Sequence, residues 1–403
     1  MRKWRSMATA VAISGTAIAV SAVMGSAAVA APNAAAKAPP GNGNFGGAAY
    51  VKPVVNPNVA LPTAVAIGDV TGDGRNDLVV TTRIRLNTAA GGTEVAVYPQ
   101  LKNGKLGAPL TIKVPDQTTR AVVADLYDNR QNEILLPAAY YTDVILVSHG
   151  RLTWSRIPVP AVDLTVANFN DNKYADLLVE TDQEGVTEIW TGSAAHKFSL
   201  WRTVTFPNSY LTFDGSEQSI FGADFDHAGR PDVAVLTATG FAVRRQIRPG
   251  VFGPEQDYAI APVDGVTFPP SGMIVGDVTG DGYPDVVLDS LANQPWSGVE
   301  VFASAHNGTF KSPVVYPVAD IPTAMALFDL TGNGRDDVIV EHTSWNSIGV
   351  LMQQPSGTLA PEWPHGAPVA DYDPPAVGDL NGDGRPDIAF TADNRGVGIM
   401  YQG

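Results

Sequence analysis

The residues in this chain with the plainest chemistry are acids set in short turns. The stretch GDVTGDGRNDLVV (68 to 80) places Asp69, Thr71, Asp73 and Asp77 within nine residues. Similar stretches hold Asp277, Thr279, Asp281 and Asp285, then Asp329, Thr331, Asn333 and Asp337, then Asp379, Asn381, Asp383 and Asp387. A hard cation such as Ca2+ seeks roughly six to eight oxygen donors, which a tight loop supplies at alternate positions. The backbone carbonyl of the seventh residue, Arg75, Tyr283, Arg335 or Arg385, would be a further donor. Gly72 and Gly74 allow the first of these turns to wrap at positive φ. A helical calcium loop would need an acid at its twelfth position. Val80, Leu288, Val340 and Phe390 stand there instead, where a strand begins. Ca2+ at these four turns is the expectation.

Three further turns follow the same frame with losses. Asn168, Asn170, Asn172 and Asp176 keep one carboxylate and have Lys173 in place of a glycine; Asp224, Asp226 and Asp232 surround Ala228; Asp125, Tyr127, Asn129 and Glu133 carry Arg130 in place of the second glycine. These are expected to be poor metal sites. If the copies close into a ring, the four intact turns are adjacent in it, and calcium is expected to stabilise that closure.

The elements that must position these turns recur with them. Seven copies start 43 to 56 residues apart, the length of a four-stranded propeller blade. An apolar segment such as TAVAIGD enters each turn and a β-branched run such as DLVVTT leaves it. The third runs align as EVAVYPQ, DVILVSH, TEIWTGS, FAVRRQI, VEVFASA, IGVLMQQ and VGIMYQG. A glycine turn follows, as NGKL, HGRL, PGVF, NGTF and SGTL, with a weaker copy at His196, and leads to a fourth strand. Short strands, 40 Gly and 31 Pro point to an all-β fold. The last copy stops after its third strand, whereas NGNF (42 to 45) and AAYVKPVV supply the missing turn and fourth strand. The fold expected is a seven-bladed β-propeller of four-stranded antiparallel blades, closed by pairing of the N-terminal strand with the C-terminal blade. Closure removes open sheet edges.

These tandem D-x-[TN]-G-[DN]-G-x-x-D turns, with NGxF turns and segments such as FGGAA (45 to 49) and LGAP (106 to 109), resemble the FG-GAP or VCBS repeats of integrin α-subunit propellers and related secreted bacterial proteins. The resemblance covers residues 42 to 403. It implies a propeller that binds proteins or carbohydrates, and does not select the ligand.

Composition adds limits. Arg2, Lys3 and Arg5, the apolar run from Met7 to Met24 and Ala28-Val29-Ala30 read as a signal peptide over residues 1 to 30, with a Pro/Ala/Gly linker over 31 to 41. Secretion is expected, with no membrane span after cleavage. Removing the leader takes away three positive and no negative charges, so the net charge of -15 becomes -18, which argues against nucleic acid. There is no cysteine, so metals or a large core must do what disulfides often do in exported proteins.

In such a blade the acidic turns and glycine turns share one face. The opposite face receives the variable loops, with Tyr140, Tyr141, Tyr210, Trp296, Trp345 and Tyr372 as candidate ligand contacts. The expected partner is a glycan or an extracellular protein, bound by a monomer. A propeller-fold lyase or hydrolase and a ligand-free scaffold are the alternatives. No G-x-S-x-G or H-E-x-x-H motif is present, and His342 and His365 are placed on the aromatic-bearing face.

Overall fold

The computed structural model describes residues 49–51, 62–84, 91–118, 120–183, 185–207, 219–262, 268–290, 292–370, 374–392 and 396–403. The segments expected to be leader and linker and the expected NGNF turn, with Tyr210 and Tyr372, lie outside the described residues.

The chain forms seven four-stranded antiparallel sheets, each with its strands in sequence order from the inner to the outer edge except at the seam. Blade 1 runs through Pro62–Gly68, Asp77–Ile84, Gly92–Tyr98 and Leu110–Val114, and its acidic turn joins the first two strands. Blades 2 to 7 follow the same order and carry the turns that start at Asp125, Asn168, Asp224, Asp277, Asp329 and Asp379. There is no α-helix among the described residues; Thr343–Trp345 forms one 3-10 turn.

The seam is built as the sequence suggests. Blade 7 supplies Ala376–Gly378, Asp387–Ala392 and Gly396–Met400, and Ala49–Val51 adds as its outer strand, with Ala49 opposite Ile399 and Val51 opposite Val397.

The inner and middle strands are apolar on both faces because each blade is covered by two neighbours. The second residue of each acidic turn, Val70, Leu126, Phe169, Phe225, Val278, Leu330 or Leu380, is buried to 1% exposure or less and anchors the turn in the core. In blades 1, 5 and 7 the residue before the turn is a glycine, Gly68, Gly276 or Gly378, which makes room for the next blade. A Cβ at Gly378 would lie 2.6 Å from Ile67 Cγ2 across the seam. Gly378→Ala is therefore expected to destabilise the ring by about 1 to 3 kcal/mol, as overpacking does; a urea midpoint equal to wild type would refute tight packing there.

Candidate functional site

The acidic turns occupy one face, and every turn is organised by its ninth residue. The Asp77 carboxylate accepts the amides of Val70 (3.1 Å) and Thr71 (2.9 Å) on one oxygen and that of Gln100 (3.0 Å) on the other. It thus ties the turn to the end of the third strand. Asp176, Asp232, Asp337 and Asp387 repeat both contacts, to Phe169 and Gly192, Phe225 and Gln246, Leu330 and Gln353, and Leu380 and Gln402. Asp285 binds the amides of Thr279 and Ser304, and Glu133 that of Leu126. This clamp explains why the acid persists in the three turns that lose other donors.

The first acid folds the loop upon itself. Asp69 accepts the amides of Asp73 (2.9 Å) and Gly74 (2.7 Å), and Asp277, Asp329 and Asp379 do the same for Gly282, Gly334 and Gly384. Gly72 and Gly74 adopt φ of 73° and 82°, where a side chain would be strained. Burial raises the ninth carboxylates, to about 6 at Asp176 and Asp285 and about 7 at Asp232, Asp337 and Asp387, against the opposing pull of their backbone hydrogen bonds.

Ca2+ fits the donor chemistry of the intact turns, which is all oxygen. The Thr71 and Thr279 hydroxyls are buried beside the ninth carboxylates yet complete no hydrogen bond of good geometry. An inward hydroxyl oxygen left in this way is what a cation would use. Of the fifth residues, Asp73 and Asp383 turn toward Arg75 and Arg385, and Asp281 meets His306 Nε2 at 2.7 Å. Asn333 accepts from Arg335 at 3.3 Å. The third residue Asn381 donates to Asp383, and Thr331 to Asp329. Tyr283 is stacked between His227 and His306, at 3.8 and 4.3 Å between ring centres.

Neighbouring turns are linked from blade 5 through the seam to blade 2. Asn132 donates its amide to the Asp69 carbonyl (3.0 Å) and Asp336 to that of Asp277 (3.3 Å). Gln100 spans the seam to the Asp379 carbonyl at 2.9 Å, and Gln402 reaches Leu330 at 3.1 Å.

The opposite face separates the candidate aromatic residues. Tyr140 is 79% exposed and Trp345 62% exposed, each at the tip of a turn between second and third strands. Trp296 is half-buried against Phe268. Tyr141 lies under the Arg156 guanidinium, 3.4 Å from its ring centre, and Asp116 raises its pKa by accepting its hydroxyl. Arg156 in turn is held by Asp143 (2.8 Å) and Asp116, and lies 5.5 Å from the exposed Trp154 ring. Sequence reasoning missed Trp154, Arg156 and Asp116. Their only signal was a tryptophan and an arginine two residues apart in RLTWSRI, which puts both on one side of a strand. His342 is buried, bonded through Nε2 to Glu362 (2.5 Å) and through Nδ1 to the Asp320 carbonyl (3.2 Å), and His365 is half-buried.

The same end of the ring holds a buried ionic network. Arg120 precedes the inner strand of blade 2 and pairs with Asp163, which opens the inner strand of blade 3. Asp163 accepts the amide (2.8 Å) and hydroxyl (3.1 Å) of Ser219, which precedes the inner strand of blade 4 and also donates to Glu180. Burial lowers the Arg120 guanidinium to about 9, with Glu180 acting in the opposite sense.

The FG-GAP-like repeat model matches residues 224–288 and 277–340, and the FG-GAP repeat model matches residues 375–402. A comparison with curated proteins finds no match. Among solved structures, an Agrocybe aegerita lectin described as recognising non-reducing terminal N-acetylglucosamine is similar at 18% identity and a TM-score of 0.54, over 75% of this chain and 79% of that one. BBS1N, crystallised in complex with ARL6DN, is similar at 13% identity and a TM-score of 0.55, over 88% and 97%. A Lactobacillus plantarum protein is similar at 14% identity and a TM-score of 0.54, over 77% and 86%. At these identities the likeness concerns the fold. With FG-GAP repeats matched in the second half and an acid at the ninth position anchoring all seven turns, the chain is a seven-bladed β-propeller that carries FG-GAP repeats.

Proposed function

We propose that the protein is a secreted, calcium-stabilised recognition module that binds a glycan. The single observation that carries this reading is the corner where blade 1 meets blade 2, with Tyr140, Tyr141, Trp154 and Arg156. An exposed aromatic face beside a fixed N–H donor suits a sugar ring, whose apolar face stacks while its hydroxyls accept. Asp116 and Asp143 hold the guanidinium in place and compensate its charge, which favours an uncharged ligand. The fold of the A. aegerita lectin supports a glycan, and the corner lies on the face opposite the acidic turns. A protein ligand, for which typical interfaces bury about 1,200 to 2,000 Å², would need much more of this surface.

Mature protein passed over immobilised mannan, chitin, galactan and β-glucan, with calcium, is expected to be retained by at least one of them. Paired Tyr140→Ala and Trp154→Ala substitutions are expected to weaken that retention about tenfold or more, the effect of losing one anchoring contact. Failure of every polysaccharide to retain wild type would overturn the reading.

A further inference from the structure

The three turns that depart from the repeat belong to consecutive blades, 2 to 4. In blade 4, carboxylate oxygens of Asp224, Asp226 and Asp232 come within 4.8 Å of one another, the one such convergence of three among the described residues. Converging carboxylates repel unless a positive charge joins them. Here one does. The Arg245 guanidinium, from the third strand, binds Asp226.

Two features show that the arrangement is built for this arginine. The first is its place in the sheet. Arg244 pairs with Val233, the residue after the ninth acid, so Arg245 stands where the other blades have Pro99, Leu146, Thr191, Ala303, Met352 and Tyr401. None of those carries a charge. The second is room on the far side. Gly308, in the glycine turn of blade 5, has φ of 77°, and a Cβ there would come within 2.3 Å of Arg245 Nε. The guanidinium thus fills the space between the acids of blade 4 and the backbone of blade 5.

We propose that Arg245 is a cation supplied by the chain itself, which closes the acidic turn of blade 4 in place of calcium. The proposal rests on the reading that the intact turns take calcium. Blade 3 solves the same problem with neutral chemistry: the amide of Asn168, at the first position, donates to the Asn172 carbonyl across its own loop. Lys173 reaches Asp128 in the turn of blade 2 at 3.0 Å. The ring is then divided into an arc of blades 5, 6, 7 and 1 that uses metal, and an arc of blades 2 to 4 that does not.

Calcium stoichiometry tests the assignment, measured by equilibrium dialysis of the full mature chain with radioactive calcium. Arg245→Met frees three converged carboxylates and is expected to bind one more ion than wild type, whereas Arg245→Lys, which keeps the charge, is expected to match wild type. An unchanged or lower count in Arg245→Met overturns the proposal. Should that variant not fold, Asp226→Asn in the otherwise wild-type chain decides the matter. It is expected to leave the count unchanged, and loss of one ion would show that blade 4 had been using metal. If wild type binds no calcium, the reading of the intact turns falls by itself, and the role of Arg245 is still judged by whether the methionine variant acquires a site.

Discussion

Arg120→Ala is expected to destabilise the protein by about 3 to 5 kcal/mol, the usual penalty for stranding one member of a buried ion pair. Asp163 would be left in the core without a counter-ion while still holding the amide and hydroxyl of Ser219. The loss should be large because one contact failure spreads over three blades, through Asp163 to Ser219 and from there to Glu180. Arg120→Met combined with Asp163→Asn removes both charges and keeps an acceptor for Ser219, so most of the loss should be recovered. Urea unfolding at neutral pH measures both. A single variant within about 1 kcal/mol of wild type, a difference typical of ordinary substitutions, would mean that the network carries little of the fold.

Chelation should produce the second large effect, with a pH dependence opposite to ordinary acid denaturation. Without metal, burial keeps Asp285 near 6 and Asp337 and Asp387 near 7. Each folded pKa lies above the unfolded carboxylate value of about 4. Between those values the folded chain holds protons that the unfolded chain has released, so stability falls as pH rises from about 4 to about 7 and then levels off. In chelator the melting temperature should therefore be higher at pH 5.5 than at pH 7.5. Calcium in excess compensates the ionised carboxylates and should flatten that slope. Its contribution per site is about 2.7 kcal/mol at a concentration one hundred times Kd. A metal-free protein that melts at the same temperature as the calcium-loaded one at pH 7.5 would exclude calcium as a stabiliser of the ring.

The fold was legible because its governing residues are local and repeated. The alternation of apolar runs, the glycine turns and the complementary chain ends each imply a strand or a closure without reference to anything distant. The third-strand alignment shows where that stops. It holds in five blades but slips by one residue in opposite directions in blades 1 and 2, where Leu78 faces Tyr98 and Ile134 faces Ile145. Lengths between motifs do not fix register; hydrogen bonding does. The acidic turns were recognisable, but the work of their ninth residue as a clamp on backbone amides was not, since a carboxylate that accepts amides and one that binds a cation look alike in sequence. Arg245 and Arg156 were hidden for another reason. Each acts on residues brought near by strand pairing or by the packing of blades, and one chain offers no mark of such a meeting.

The seam has a consequence for how the chain comes to its shape. Residues 49 to 51 find their partner strand about 350 positions further on, so six blades can be assembled while the seventh still lacks its outer edge. Closing so long a loop adds little to the equilibrium cost but slows the search. Synthesis must pass residue 400 before the ring exists, and until then an unpaired strand at each end is available to other chains. The vulnerable interval of this protein is the one before Gly396–Met400 meets Ala49–Val51, when a crowded neighbour and its own first strand compete for the same edge.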